Sequence, residues 1–88
     1  MAKWQIIYHR RAEKVLNRLP ADLYMRVVAA TQALATDPFP VGSKKLVNTD
    51  DQYRIRVGDW RIVYTIKHDK LIILVVRIAP RGSAYRNF

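Results

Sequence analysis

Residues 52–67, QYRIRVGDWRIVYTIK, alternate polar and apolar side chains on either side of Gly58-Asp59, a two-residue turn in which glycine supplies the positive φ that a tight hairpin needs. A hairpin closed at that turn sets Val57 opposite Trp60, Arg56 opposite Arg61, Ile55 opposite Ile62 and Arg54 opposite Val63. Successive side chains of a strand point to opposite faces. Tyr53, Ile55, Val57, Trp60, Ile62, Tyr64 and Ile66 therefore share one strongly apolar face, and Arg54, Arg56 and Arg61 share the other. The apolar face requires a cover, and the rest of the chain supplies it.

Upstream, residues 4–8 (WQIIY) are β-branched and aromatic and read as a strand. From Arg10 the period changes: Ala12, Val15, Leu16 and Leu19 fall on one helical face, and Pro20 stops that helix because its ring cannot continue the hydrogen-bond ladder. A second helix starts at once with Asp22 in its first turn, and its apolar stripe is Leu23, Val27, Ala30 and Leu34. Residues 37–51 (DPFPVGSKKLVNTDD) carry two prolines, a glycine and clustered Asn, Thr and Asp, and read as a loop with a brief extended piece at Leu46. Downstream of a His68-Asp69 turn, residues 70–79 form a third strand of the meander. The expected fold is α+β, in the order β-α-α-β-β-β: an N-terminal strand, a helical hairpin, then a three-stranded antiparallel meander, with the helices on one face of a small twisted sheet.

The 88 residues allow one domain, spanning 1–88. The absence of cysteine excludes a disulfide framework, a thiolate metal site and a cysteine nucleophile. The longest apolar run, residues 71–76, is far below the roughly 20 residues that span a bilayer. Residues 1–11 hold no signal-peptide core, so a soluble, cytoplasmic protein without membrane contact is expected. The net charge is +9. Residues 1–51 hold eight basic and five acidic side chains and residues 52–88 hold eight and two, so the second part is the natural partner of a polyanion.

Two guanidiniums directly opposite each other, Arg56 and Arg61, repel by roughly 0.2–1 kcal/mol, so stability alone does not select that pairing. Either the arginines sit on a wet outer face or they form an anion site. Carried through the His68-Asp69 turn, the register places Ile72, Leu74 and Val76 on the arginine face, and three aliphatic residues there call for a covering segment or a protein partner. In the tail, RIAPRGSAYRNF (77–88), Arg81, Tyr85 and Arg86 interleave cations with an aromatic ring, a combination suited to phosphate contact and base stacking. Lys44, Lys45 and Arg86 are further candidate contacts to such a polyanion, whether RNA, DNA or an acidic protein segment. No metal ligand set emerges: His9 and His68 have no metal-binding context, and the seven carboxylates show no paired spacing. No cofactor motif is present either, so a catalyst here would work with arginine, lysine and tyrosine.

The block YRIRVGDWRIVY (53–64), followed by an apolar strand and by RGSAYR (81–86), resembles the RelE/ParE superfamily of bacterial toxins, and its RelE branch more closely. The resemblance covers almost the whole chain. It implies the toxin of a type II toxin–antitoxin pair, neutralised by a cognate antitoxin, which enters the ribosome and cuts mRNA without a metal or cofactor. In that reaction the ribose 2′-hydroxyl attacks the adjacent phosphate to leave a 2′,3′-cyclic phosphate. It also implies catalytic roles for Arg54, Arg56, Arg61, Arg81 and Tyr85, with Tyr85 stacking on a base, and antitoxin contact at Ile72, Leu74 and Val76. DNA would be met only through the antitoxin complex. Arg54 and Arg56 stand where well-studied members carry lysine, and Pro80 where many carry histidine. Arginine clamps phosphate well but is a poor base. A ParE-like toxin that binds DNA gyrase, or a degenerate toxin acting only in a repressor complex, would share the same fold.

Overall fold

The hairpin register at the centre of the sequence organises the computed structural model, which describes residues 3–80. The chain runs β1 (Gln5–Tyr8), α1 (Arg10–Leu16), α2 (Ala21–Ala33), β2 (Lys44–Lys45), β3 (Gln52–Val57), β4 (Trp60–Lys67) and β5 (Ile72–Pro80). Gly58 adopts φ +58°, and Val57 faces Trp60, Arg56 faces Arg61, Ile55 faces Ile62 and Arg54 faces Val63, as the turn chemistry predicts.

Both helices lie on the apolar face. Ala12 and Leu16 of α1, and Val27 of α2 with Leu34 just beyond it, join Ile55, Val57, Ile62, Tyr64 and Ile66 in one buried cluster. The imidazole of His9 caps α1, its Nδ1 accepting from the backbone N–H of Arg11 at 3.2 Å. The helix ends at Leu16, ahead of the proline expected to stop it. Arg18 and Leu19 donate three residues back, to Val15 and Leu16, tightening the chain before Pro20, which disfavours a helical residue in front of it. α2 then begins at once after Pro20. Within it, the hydroxyl of Thr31 is fully buried, donates to the Val27 or Val28 carbonyl, and lies 2.5 Å from the Tyr8 hydroxyl, tying β1 to the helix.

The three-stranded meander is embedded in a larger sheet of order β1-β5-β4-β3-β2. β1 pairs in parallel with β5, from Gln5–Ile72 to Tyr8–Val75. The loop expected over residues 37–51 contributes the two-residue strand β2, with Lys44 opposite Arg54 and Lys45 opposite Tyr53. A second correction concerns β5. Its register with β4 shifts between Val63, which faces Arg77, and Tyr64, which faces Val75, so Val76 is an extra residue forming a β-bulge. Val76 therefore does not continue the face of Ile72 and Leu74 in register; Arg77 takes that place. The cause is core composition. Unbroken alternation after Ile73 and Val75 would turn Arg77 toward the helices and Ile78 outward. With the bulge Ile78, 3% exposed, enters the core. Among the described residues no helix is long and apolar enough to cross a membrane.

Tyr64 anchors the loop to the sheet: fully buried, it donates from its hydroxyl to the Pro38 carbonyl at 2.7 Å. Burial pushes its pKa up to about 12 from 10.0. Because the folded value lies above the unfolded one, the neutral phenol's stabilisation is fully present below about pH 10 and is lost as pH rises toward 12. Tyr64→Phe, which strands a buried acceptor, is expected to cost about 1–3 kcal/mol at neutral pH. The gap between the two proteins in thermal unfolding should narrow from pH 9 to pH 11.5; a gap constant across that range would contradict the assignment.

Candidate anion-binding site

The face of the sheet away from the helices is assembled in rows by the strand register. One row reads Lys44, Arg54, Val63, Arg77 across β2, β3, β4 and β5; the next reads Arg56, Arg61, Ala79 across β3 to β5. The hairpin thus brings Arg54, Arg56 and Arg61 together as its alternation requires. Arg54 is 9% and Arg61 6% exposed, whereas Arg56 is open to solvent. Val63, between Arg54 and Arg77, is fully buried, and Thr65 and Ala79 are buried on the same face.

Buried guanidiniums are costly unless an anion or acceptors meet them. No carboxylate occupies either row, and the Nε of Arg61 is buried without a hydrogen-bond partner among the described residues. A planar fork of donors held this way is suited to a phosphate or carboxylate, which it can bind in two parallel hydrogen bonds. Such an array can hold an anion and stabilise growing negative charge, but does not readily take up a proton.

Sequence reasoning missed Arg77, because it assumed an unbroken register through β5. The signal was available: the assumed alternation buries a cation beneath the helices and expels Ile78, a conflict that one extra residue at Val76 resolves. Lys44 extends the arginine row, while Lys45 stands beside Tyr53 on the opposite face. Both lysines are exposed and border a cleft of about 520 Å³ that reaches Leu46, Gln52 and Arg54. A second cleft, of about 600 Å³, runs past the bulge between His9, Arg11, Trp60, Arg77 and Pro80.

Ile72 and Leu74 are half-buried on the arginine face, next to Ile7 of β1, which is 37% exposed. Their strand-mate Val76 lies apart from them at the bulge. Neither histidine stands among Arg54, Arg56 and Arg61: His9 caps α1, and His68 meets the Trp4 ring edge-on at 5.7 Å. Arg81, Tyr85 and Arg86 lie outside the described residues. Among those described, no group of three or more His, Cys, Asp or Glu could hold a metal ion.

Comparison with known proteins places this architecture. Residues 6–85 match the family described as the ParE toxin of the type II toxin–antitoxin system parDE. RelE1 of Methanocaldococcus jannaschii, a protein named as a toxin, is 32% identical over 88 residues, covering 97% of this chain and 98% of the relative. The archaeal RelE–RelB complex of Pyrococcus horikoshii superimposes with a TM-score of 0.81 at 30% identity, over 93% of this chain and 99% of that one. The free form of an E. coli RelE mutant gives a TM-score of 0.80 at 20% identity, over 96% and 88% of the two chains. The chain belongs to the RelE/ParE toxin family. Within it, the protein is a RelE-like toxin of a type II toxin–antitoxin system.

Proposed function

We propose that this toxin is a ribosome-dependent mRNA endoribonuclease and that Arg54, Arg56 and Arg61 hold the scissile phosphate. The observation that carries the reading is the pair of nearly buried guanidiniums, Arg54 and Arg61, on a face whose rows contain no carboxylate. The 2′-oxygen of the preceding ribose attacks phosphorus and the bond from phosphorus to the 5′-oxygen breaks. One proton leaves the 2′-oxygen, one is delivered to the 5′-oxygen, and a 2′,3′-cyclic phosphate and a 5′-hydroxyl result. The phosphorane between them is dianionic. Fixed guanidiniums stabilise that added charge more than the ground state, which is the differential binding that lowers a barrier. Arg81 adds charge and Tyr85 stacks on the base, fixing the nucleotide over the phosphate. Lys44, adjoining Arg54, brings an amine to the patch, and Lys45 and Arg86 bind the RNA backbone. No metal or cofactor takes part.

The P. horikoshii toxin and an E. coli toxin were each solved with a RelB antitoxin. For this chain the corresponding partner is an acidic, amphipathic antitoxin segment. Its apolar side chains meet Ile72 and Leu74 beside Ile7, and its carboxylates neutralise the arginine rows. DNA is reached through that complex. A second reading, a gyrase-binding toxin that cuts nothing, is favoured by the match to the ParE family and by the lack of a histidine or lysine among Arg54, Arg56 and Arg61. Pulse-labelling after induction separates the two. Ribonuclease action stops incorporation of amino acids while thymidine incorporation continues; thymidine incorporation failing first would replace it with the gyrase reading.

A further inference from the structure

The geometry points to Arg77 as a second phosphate-binding residue, which takes the phosphate next to the scissile one and so extends the site across three strands. This rests on the ribonuclease reading for its substrate class, RNA; the placement of Arg77 does not. The bulge at Val76 is what delivers it. Before the bulge, Leu74 faces outward opposite Thr65 and Val75 faces the core opposite Tyr64; after it, Arg77 faces outward opposite Val63 and Ile78 faces the core opposite Ile62. A bulge re-aims a side chain at the cost of a ladder position, and such irregularities concentrate beside functional sites. Here it adds a fourth guanidinium to a face already carrying three, a concentration of positive charge that suits a polyanion.

The position sets the role. Arg54 and Arg77 flank Val63 on the two neighbouring strands, so their backbones stand about 10 Å apart, two interstrand spacings. Two long side chains on that separation can grip successive phosphates of one strand, with the fully buried Val63 as the floor between them. Arg77 and Ala79 also line the cleft of about 600 Å³ that reaches Ala12, Val15 and Trp60 on the helix side, so an RNA passing Arg77 meets that groove, with Arg11 as another cation, by crossing the edge of β5 that β1 leaves unpaired.

The test uses the full-length toxin in two assays: cleavage of a defined mRNA on translating ribosomes, and salt-dependent binding of a short single-stranded RNA blocked by 2′-O-methylation. Arg77→Gln is expected to weaken RNA binding and kcat/KM by about tenfold. It should also lower the slope of log affinity against log salt by about 0.7, the loss of one phosphate contact to a single strand. Arg77→Lys should restore the slope. Arg77→Met provides a neutral variant that keeps an apolar stem should Gln not fold. If the wild type cleaves and the neutral variants match it in kcat/KM and salt slope, the inference is overturned while the ribonuclease reading stands. If the wild type does not cleave, that reading fails, and the salt slope alone still decides whether Arg77 holds a phosphate.

Discussion

Arg61→Ala is expected to lower mRNA cleavage by about tenfold to a hundredfold and to abolish growth arrest at moderate expression. The expectation follows from the environment of the guanidinium. At 6% exposure it is largely stripped of water, and its Nε finds no partner among the described residues, so a bound phosphate is the acceptor it lacks. A charge-assisted hydrogen bond in such a place is worth about 1.5–3 kcal/mol, which sets the range in rate. Folding should survive, because the substitution also removes a cation standing directly opposite Arg56. Single-turnover cleavage and thermal unfolding, measured together, separate a lost contact from a lost fold. Undiminished toxicity of a normally folded Arg61→Ala protein would remove Arg61 from the site.

Ile78→Asp is expected to do more harm than any single replacement on the arginine face. Ile78 stands opposite Ile62, which is fully buried, and is itself 3% exposed in the core cluster beneath the helices. A carboxylate there would be a buried, unpaired charge. Such a charge costs several kcal/mol, and a domain of this size has only about 5–15 kcal/mol of total stability. The variant should therefore melt at least 15 °C below the wild type or fail to fold cooperatively, a change of about 3 kcal/mol or more. Deleting Val76, by contrast, leaves Val75 opposite Tyr64, Arg77 opposite Val63 and Ile78 opposite Ile62 in an unbroken ladder, and should remain folded. An Ile78→Asp protein with an unchanged melting temperature would show that the register beyond the bulge does not carry Ile78 into the core.

Much of this was legible in the sequence because local rules and the fold agreed. Gly58-Asp59 demanded a tight turn, the turn fixed the register, and the register separated Tyr53, Ile55 and Val57 from Arg54 and Arg56 with no reference to the rest of the chain. The apolar stripe of Val27 and Leu34 likewise specified which side of α2 would be buried. What escaped were features whose cause lies far away in the chain. β1 owes its place to parallel pairing with β5, a contact between residues 5–8 and 72–75 that no local pattern encodes. β2 was anticipated only as a brief extended piece at Leu46; it forms just ahead of that residue, at Lys44–Lys45, where the edge of β3 offers it hydrogen bonds. The bulge depends on a comparison between two registers for β5, and alternation was extended past Val75 without asking which of Arg77 and Ile78 the helices could cover. The candidate site inherited that error: three of its arginines were visible from the hairpin alone, and the fourth required the bulge.

The central claim is that the arginine face holds RNA for cleavage on the ribosome. Primer extension on a defined mRNA, taken from a translating system to which the purified toxin has been added, tests it most directly when the new ends are also characterised. The account predicts discrete breaks that appear only with ribosomes engaged on the message. Each upstream fragment should end in a 2′,3′-cyclic phosphate and each downstream one begin with a 5′-hydroxyl, and the breaks should be strongly reduced with Arg61→Ala. Intact mRNA in the presence of folded, growth-arresting toxin would contradict it.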